Sequence, residues 1–346
     1  MSTKPFDDLP SLPPTVDFAV PEIFTAIIEA SNALARLDEV SDLLENSSVF
    51  LNAIPVLEAQ ASSQIEQIVT TNDAIFRANV SGTKPDVATN LALRLRRSIT
   101  LGAEVAESRG ITATLASTIC SEILGHEMQP RKTQGTVIQS NLKTIYTPPS
   151  PNVLPRLLAE WESFVNKGDQ LHPLIIMALA HYQFEAIHPF SDGNGRTGRV
   201  LNVLLLVNSG LLKQPVLQMS REIEARRNDY YRLINEVTTK GNWVEWVVFM
   251  LEVVAAGAKD SAKKLKAITM LQLTFGERFE SRPKLVQLLF EKPYCQIGHV
   301  VERCGVTRAT AANWLESLEK QGALGSVVSG REKFFVNREL LEVLNG

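Results

Sequence analysis

Apolar residues recur at every third or fourth position over most of the chain from residue 21 to about residue 280, a spacing that predicts amphipathic helices. Before this region, residues 1–17 are rich in proline and aspartate, which predicts an extended lead-in. The predicted helical segments cover residues 22–44, 51–78, 87–108, 112–128 and 153–165, and further helices continue to about residue 280. The pattern therefore predicts an all-α fold.

Two segments depart from the helical pattern. Residues 130–152 contain Gly, Thr, Val, Ile, Tyr and several prolines, which predicts a short β-hairpin between helices. After about residue 283, a helix is followed by a helix-turn-helix with its turn at Gly305, and then by a hairpin that turns near residues 329–330. This order of elements is typical of a winged-helix domain.

The composition narrows the class of protein. The 346 residues allow more than one domain and a sizeable core, and the formal net charge of -3 disfavours a protein that binds nucleic acid over its whole surface. The N-terminus lacks an apolar signal core, and the longest apolar runs are too short to span a bilayer. Cys295 and Cys304 are close enough in sequence for a bridge, but both should stay reduced in the cytoplasmic protein that these features indicate.

The segment HPFSDGNGRTGR, residues 188–199, places polar residues and glycine between two strongly apolar helical segments. Pro189 disfavours helical backbone at His188, so the preceding helix should end there. The Gly193–Gly195 run allows unusual backbone angles and close approach to a ligand. A loop of amides that leads into a helix N-terminus attracts anions. The segment therefore predicts an anion-binding loop at the start of a helix.

The charged side chains of this loop suggest which anion it binds. Arg196 and Arg199 are three residues apart, so both can reach one ligand, and two guanidinium groups indicate several phosphates. Asp192 would repel those phosphates unless a Mg²⁺ lies between them. His188 titrates near neutral pH and suits a general base. Together these residues predict attack by a hydroxyl on a Mg²⁺-bound nucleotide phosphate.

Each of these features also has a structural explanation when it is taken alone. A G-x-G pair is a common turn, a histidine at a helix end is often a cap, and arginines at this spacing are usually solvated. Their combination in one loop between two apolar helices favours the functional interpretation.

The segment 188–199 resembles the Fic motif, H-P-F-x-(D/E)-G-N-G-R-x-x-R, and agrees with it at every defined position. Members with this motif typically transfer AMP from ATP to a hydroxyl of a protein Tyr, Thr or Ser. The resemblance implies His188 as the base that deprotonates the target hydroxyl and Asp192 as the Mg²⁺ ligand. The implied nucleotide-binding residues are Gly193, Asn194, Gly195, Arg196, Thr197, Gly198, Arg199, Tyr230 and Tyr231.

The resemblance also implies individual contacts. Gly193 to Gly195 would hold the α- and β-phosphates, with Asn194 at the α-phosphate, Arg196 at the β-phosphate and Arg199 at the γ-phosphate. The related Doc-type kinases carry Lys at the position of Gly195, so this chain departs from that branch.

Two further segments are similar to parts of the same family. Residues 144–151 resemble the Fic flap, a hairpin that pairs with the backbone of a target protein by strand addition. Residues 220–237 resemble the helix that closes the adenine pocket, with Tyr230 and Tyr231 as candidate ring contacts. Taken alone, the first is an ordinary proline-rich turn, and the two tyrosines could equally pack in the core.

The segment SSQIEQ, residues 62–67, resembles the inhibitory motif (S/T)-x-x-x-E-(G/N) of the family. Ser62 and Glu66 are four apart, on one face of a predicted helix. The resemblance implies that Glu66 pairs with Arg199 and occupies the seat of the γ-phosphate. A further hypothesis is that Glu66 also orients a water that removes AMP from a modified target. Position 67 is Gln where the family prefers Gly or Asn, and a bulkier residue is expected to shift the helix and weaken inhibition.

The winged-helix tail raises a second class of function, a DNA-binding regulator. The second helix of its helix-turn-helix, the presumed recognition helix, offers Arg308, Asn313 and Lys320, but Glu316 and Glu319 reduce the positive charge that a DNA reader needs. DNA binding is therefore not favoured, and a protein target or self-association into a homo-oligomer are the other roles considered for the tail.

The sequence is interpreted as an autoinhibited, cytoplasmic protein adenylyltransferase that uses ATP and Mg²⁺, with no membrane association. The alternative is transfer of another nucleotide or a phosphoryl group by the same fold. The predicted units are an N-terminal helical region with the inhibitory helix (1–110), a Fic-type core with the hairpin flap (111–260), a linker helix (261–282) and a winged-helix domain (283–346).

Overall fold

The structure is a computed structural model that describes residues 4–42, 48–82, 84–134, 138–140, 143–167, 170–329 and 332–346. Helices dominate the described residues. Their bounds are α1 (Pro21–Ser41), α2 (Ser48–Ile65), α3 (Asn72–Ala78), α4 (Val87–Arg109), α5 (Ala113–Leu124), α6 (Leu154–Lys167), α7 (Pro173–Ile187), α8 (Asn194–Asn208), α9 (Ser220–Ala225), α10 (Arg227–Lys240), α11 (Trp243–Arg278), α12 (Pro283–Glu291), α13 (Ile297–Cys304), α14 (Arg308–Lys320) and α15 (Arg338–Asn345). The strands are β1 (Ile138–Ser140), β2 (Lys143–Tyr146), β3 (Tyr294–Cys295), β4 (Gly325–Ser329) and β5 (Glu332–Val336).

Helix α7 lies at the centre of the core and is apolar on nearly every side, as a fully buried helix must be. It packs against α6, α8 and α11. Two tryptophans on those neighbours donate hydrogen bonds to its carbonyl groups, Trp161 to Ala180 at 3.0 Å and Trp246 to Ala178 at 2.8 Å. Because buried indole N–H groups need acceptors, these bonds hold α7 in one position between its neighbours.

Helix α1 packs along α11 over most of its length, and small residues on α1 allow the close contact: Ala26, Ala30 and Ala33 are all buried. Helix α11 is continuous from residue 243 to residue 278. The boundary predicted between the core and a linker helix, at residues 260 and 261, therefore lies inside one helix and does not separate two elements.

The segment 51–78 was predicted as one helix, and this prediction is wrong. Helix α2 ends at Ile65, and α3 begins after Thr71, whose side chain accepts a hydrogen bond from the backbone N–H of Ala74 at 3.1 Å. The Thr71 cap favours the start of a new helix over the continuation of α2. The apolar spacing alone does not show this break, so it predicted one helix that is too long. Residues 220–237 likewise form two helices, which meet at Arg226.

The predicted hairpin within residues 130–152 is present as the antiparallel pair β1 and β2. Near the C-terminus, a three-stranded antiparallel sheet has the order β3-β5-β4, and its short first strand was not predicted. The turn expected at residues 329–330 includes residue 330, which lies outside the described residues. The elements after residue 283 follow the predicted order, and their assignment as a winged-helix domain stays a prediction.

The C-terminal elements contact the segment around α2 and α3. The Tyr294 hydroxyl donates to Asp73, and the Ser81 hydroxyl donates to Glu332 Oε2 at 2.8 Å. Helix α12 also packs on α2. The C-terminal elements therefore pack on the part of the chain that contains α2 and α3. No helix in the described ranges combines the length and the apolar character needed to cross a membrane.

Helix α11 crosses the backbone of residues 218–219 at Gly257, so we expect Gly257→Ala to destabilise the protein. A Cβ there would lie 2.4 Å from the carbonyl oxygen of Gln218, and backbone atoms cannot move aside cheaply. The expected loss is about 1–3 kcal/mol of unfolding free energy. Gly276→Ala is the matched control, because nothing lies within 4 Å of its added Cβ. It should raise stability by roughly 0.5–1 kcal/mol. Urea denaturation of both variants measures the difference, and equal stabilities would contradict the close crossing.

Candidate active site

The segment 188–199 forms the connection between α7 and α8. Helix α7 ends at Ile187, and His188 adopts a left-handed backbone conformation with φ of 49°. This conformation is uncommon for a residue other than glycine and indicates a backbone held in place by its surroundings. Arg131 supplies part of that hold, since its Nε donates to the His188 carbonyl oxygen at 3.0 Å.

The imidazole of His188 is half-buried and close to a backbone acceptor. Its Nδ1 lies 3.3 Å from the carbonyl oxygen of Glu185. A carbonyl oxygen only accepts, so Nδ1 carries the proton and Nε2 is left as the basic atom. Burial lowers the pKa of His188 to about 4. The side chain is therefore neutral near pH 7 and able to take a proton.

The loop between the two helices is stabilised from within by Asn194. Its side chain accepts from the Phe190 backbone N–H and donates to the Phe190 carbonyl, both at 2.8 Å. Gly193 precedes α8 with φ of 80°, and a Cβ there would approach Cys120 Sγ at 3.2 Å. The Asn194 carboxamide is thus used inside the loop, so its backbone amide is the group left for the α-phosphate contact that the family resemblance implied.

Two of the three side-chain nitrogen atoms of Arg196 are buried without a hydrogen-bond partner. Its side chain is 4% exposed, and its Nη2 donates to Asp192 Oδ1 at 3.0 Å. Its Nε and Nη1 are buried and have no partner. Buried guanidinium donors without acceptors are costly, so the position fits an anion with several oxygen atoms, such as a phosphate group.

The Asp192 carboxylate lies at the rim of the loop and is 69% exposed. Besides the bond from Arg196, it accepts from the Gly193 backbone N–H at 2.6 Å. Within the described ranges, no three His, Cys, Asp or Glu side chains cluster to hold a metal ion on their own. A single exposed carboxylate beside a phosphate site fits Mg²⁺, which typically binds one or two carboxylates and completes its shell with phosphates and water.

Arg199 is the most buried charge in this region, with 1% of its side chain exposed. Its hydrogen bonds cross to the end of α2. Nε donates to Ser62 Oγ at 2.9 Å, and Nη2 donates to the Ser62 carbonyl at 2.9 Å and to Glu66 Oε1 at 3.0 Å. The geometry thus brings together the residues 62, 66 and 199 that sequence analysis connected.

Glu66 does not lie on the helix as expected but in the turn that ends it. The N–H of Ile68 bonds to the Ser63 carbonyl at 3.0 Å, and the N–H of Gln67 bonds to the Gln64 carbonyl at 2.9 Å. Gln67 has φ of 61°. These features make a Schellman motif, whose left-handed position usually holds Gly and sometimes Asn. Gln67 thus occupies a left-handed position that favours Gly and Asn for reasons of backbone conformation, and the expectation that a bulkier residue shifts α2 and weakens inhibition stays a prediction.

Gly195 is required by the same contact. A Cβ at this position would lie 2.5 Å from Glu66 Oε1 and 3.0 Å from Arg199 Nη1. The absence of a side chain therefore allows the carboxylate to approach α8 directly.

The remaining predicted residues divide into exposed and buried positions. Tyr231 is 42% exposed and can offer its ring to a base, whereas Tyr230 is 2% exposed and its hydroxyl is 2.8 Å from His181 Nε2. Tyr230 packs against Trp246 in the core and is not an open ring contact, which corrects the prediction for that residue. Thr197 is fully buried, and its neighbour Gly198 faces inward: a Cβ there would meet Glu185 Oε1 at 2.5 Å.

Two buried carboxylates beside Arg199, Glu185 and Glu58, were not predicted from the sequence. Burial raises the pKa of Glu185 to about 7, and the positive charge of Arg199 opposes that rise. Burial also raises the pKa of Glu58, whose carboxylate accepts from the Ser220 backbone N–H at 2.9 Å. Spacing offers a signal for Glu58 alone, because it precedes Ser62 by one helical turn on the same face of α2.

The flap contacts the loop through Arg131, which was also missed. Its Nη2 donates to the Pro149 carbonyl at 2.6 Å, while its Nε holds His188 as described above. The Tyr146 hydroxyl donates to the Ala186 carbonyl at 2.9 Å. The hairpin and the loop therefore form one continuous surface.

Fold and site together define a class of protein: a helical protein with a glycine-containing loop at one helix start, where a buried arginine pairs with a carboxylate from the turn that follows another helix. Three family models match successive parts of the chain. The Fic/DOC family N-terminal model matches residues 24–104, and the Fic/DOC family model matches residues 112–206. The model described as "Protein adenylyltransferase SoFic-like, C-terminal domain" matches residues 281–340. The chain belongs to the Fic/DOC family.

Curated relatives match the central part of the chain. The protein adenylyltransferase Fic of Aedes aegypti is 38% identical over 93 residues, which are 26% of this chain and 18% of that protein. The one of Drosophila yakuba is 36% identical over 109 residues, 31% of this chain and 21% of that protein. These matches span only about a fifth of the length of those relatives.

Solved structures of low sequence identity share the fold. A Fic family protein from Desulfovibrio desulfuricans G20 superposes with a TM-score of 0.60 at 18% identity, over 92% of this chain and 96% of that one. A Fic domain containing signaling protein from Bacteroides thetaiotaomicron gives 0.57 at 15% identity, over 69% of this chain and 97% of that one. The predicted fold class, a Fic-type helical core with a short hairpin, is confirmed.

We expect the His188 ring to titrate far below an ordinary histidine. A lowered pKa means that the neutral imidazole persists as the pH falls from 8 to 5.5 and gains its proton only near pH 4. NMR of the full chain with ¹³C-labelled histidine, assigned with a His188→Gln variant, measures the midpoint. A midpoint for His188 near the ordinary histidine value of about 6.5 would contradict its desolvated position.

Proposed function

We propose that the protein is a protein adenylyltransferase that transfers AMP from ATP to a hydroxyl side chain of a Tyr, Thr or Ser in a target protein. The observation that carries this proposal is the loop of residues 188–199, which combines a neutral imidazole with the unsatisfied buried donors of Arg196. The curated relatives are named protein adenylyltransferase Fic, which supports the same activity for this chain.

In the proposed reaction, His188 Nε2 removes the proton of the target hydroxyl, and the resulting oxygen attacks the α-phosphorus of ATP. The bond between that phosphorus and the oxygen bridging to the β-phosphate breaks, so pyrophosphate leaves and AMP becomes attached to the target. The Nδ1 bond to the Glu185 carbonyl keeps Nε2 as the proton acceptor. The start of α8 supplies amides and a favourable dipole for the charge on the phosphates.

The phosphate contacts follow from the same residues. The β-phosphate would complete the bonding of Arg196, and the γ-phosphate would take the place of Glu66 at Arg199. Mg²⁺ held by Asp192 would balance the negative charge of the triphosphate and help to align it. The exposed ring of Tyr231 is the group available to the adenine.

Glu66 is proposed to inhibit this reaction. One guanidinium cannot serve both a carboxylate and a γ-phosphate in the same place, and Arg199 is already bonded to Glu66 at 3.0 Å. ATP that enters beside Glu66 would bind with its α-phosphate misaligned for attack. The same carboxylate could orient a water for the removal of AMP, which is the second activity proposed for the site.

The cellular location and the roles of the separate parts of the chain are proposals as well. We propose that the enzyme works in the cytoplasm, where its three free cysteines, Cys120, Cys295 and Cys304, stay reduced. The units 1–110, 111–260 and 283–346 are proposed to act as inhibitory, catalytic and winged-helix parts. Among the roles considered for residues 283–346, a protein partner or self-association is preferred to DNA, since Glu316 and Glu319 lie on α14, the presumed recognition helix.

We expect His188→Ala to reduce transfer about 10²- to 10⁴-fold, the contribution typical of a general base. ATP binding should remain, because the phosphate contacts come from α8. The measurement is incorporation of label from ATP labelled at the α-phosphate, beside a binding titration with unlabelled ATP. His126→Ala removes an exposed histidine and should change neither quantity. Retained transfer in His188→Ala would refute its role as the base, and label arriving from the γ-phosphate would support the alternative phosphoryl transfer.

We expect Glu66→Gly to raise target modification or self-modification about tenfold or more, because removal of one carboxylate frees Arg199 for the γ-phosphate. Gln67→Gly is the matched control. It also places glycine in the turn, but it keeps the carboxylate and suits the φ of 61°. Transfer by Gln67→Gly should stay at or below the level of the wild type. Equal activation by both variants would show that flexibility of the turn matters and not the charge of Glu66.

A further inference from the structure

The N-terminal arm, defined as residues 4–10, lies against the flap. The backbone N–H of Phe6 donates to the Thr147 carbonyl oxygen at 3.0 Å. The Phe6 ring meets the Tyr146 ring edge to face, with centroids 6.1 Å apart. The arm therefore contacts the end of β2 through an aromatic pair with Tyr146, and it makes one main-chain bond to the residue that follows, Thr147.

The next residue of the arm adds an acidic contact. Asp7 Oδ1 accepts from the Ser150 backbone N–H at 2.5 Å and from the Ser150 hydroxyl at 2.7 Å. These bonds lower the pKa of Asp7. Further along, Gln183 Nε2 donates to the Pro10 carbonyl at 3.0 Å. The arm is thus recognised by its backbone, by an aromatic ring and by a carboxylate.

The surface under the arm is held rigidly from the other side. Arg131 binds the Pro149 carbonyl, Gln134 Nε2 donates to the Pro148 carbonyl at 3.1 Å, and Tyr146 is bonded to α7. Arg131 also holds the carbonyl of His188. A segment bound on this surface would therefore lie next to the proposed base, with little rearrangement of the flap needed to receive it.

The arm itself is held much more weakly. It contains no helix or strand, Phe6 is only half-buried, and Asp7 is exposed. Segments with few buried contacts open at low free-energy cost, so a competing segment can replace the arm. A main-chain bond combined with side-chain contacts on a hairpin is also the way in which proteins recognise extended peptides.

We propose that residues 146–150 of the flap form a binding surface for an extended peptide that carries an aromatic residue followed by an acidic one, and that residues 4–10 occupy this surface until such a target segment replaces them. The inference deepens the proposed function, because it states the kind of target segment that docks beside His188. It differs from the Glu66 contact, which concerns the nucleotide and lies on another element.

The first test measures hydrogen exchange of the Ser150 amide in the full chain, since that amide donates to Asp7. Asp7→Ala should speed its exchange about fivefold, as expected for loss of one hydrogen bond to an exposed carboxylate. Asp8→Ala is the matched control, because Asp8 is the neighbouring exposed carboxylate in the same arm. It should leave exchange unchanged. Equal rates in Asp7→Ala and the wild type would overturn the proposal.

The second test adds a synthetic peptide with the sequence Lys-Pro-Phe-Asp-Asp-Leu-Pro, labelled with a dye for fluorescence anisotropy. Asp7→Ala should bind it several-fold more tightly than the wild type or Asp8→Ala, because the cis arm of those proteins competes for the flap. The bound peptide should also restore slow exchange at Ser150. A peptide with alanine in place of its phenylalanine and first aspartate should bind more weakly.

Equal affinity of the peptide for Asp7→Ala and Asp8→Ala would overturn the proposal, as would binding that leaves the exchange at Ser150 fast. Neither experiment uses ATP or measures transfer. A failure here would therefore leave the proposed adenylyl transfer standing, and a failure of transfer would leave the docking of the arm standing.

Discussion

A buried charge needs hydrogen-bond partners. The buried charge of Arg199 on α8 finds its partners at the end of α2. Its guanidinium is 1% exposed and takes its acceptors from Ser62 and Glu66. Leaving a buried charge unpaired costs about 3–5 kcal/mol, so Glu66 can withdraw readily only when another anion arrives. The γ-phosphate is the anion proposed for that exchange. In the proposed function, the Glu66 carboxylate and a γ-phosphate are two solutions to this one electrostatic requirement, and they exclude each other because both would occupy the same place at Arg199.

The close approach of α2 to α8 depends on backbone as much as on charge. Gly195 leaves room for the carboxylate, since a Cβ would lie 2.5 Å from Glu66 Oε1. The Schellman turn at Gln67 ends α2 at the residue before Glu66 and directs its side chain to Arg199. A left-handed conformation costs a residue with a Cβ roughly 1 kcal/mol more than it costs glycine. The contact with Arg199 compensates for that cost, which couples the shape of the turn to the pairing of the charge.

Much of the fold could be predicted because it follows from local patterns. Apolar spacing located most helices, and a twelve-residue stretch contained the loop with His188 and Arg196, so neighbours in sequence were already neighbours in space. Prediction from the sequence failed where two residues carried the same local signal, or where a turn interrupted a continuous apolar pattern. Tyr230 and Tyr231 look alike in sequence, yet one hydrogen-bonds to His181 in the core and the other faces outward. The break between α2 and α3 was missed because the left-handed turn at Gln67 and the cap at Thr71 lie within a continuous apolar pattern.

The residues of the proposed site belong to contiguous motifs, so the sequence alone could predict their chemical types. These are a histidine base, an anion-binding loop and an inhibitory carboxylate. Their working states depend on atoms distant in the chain. Burial among α7 and its neighbours makes His188 neutral, and Arg131 joins the flap to the loop across 57 residues. The docking of residues 4–10 on the flap leaves no periodic signal at all. Desolvation and long-range hydrogen bonds arise only when the packed elements exclude water together, and for this reason no local pattern could have specified them.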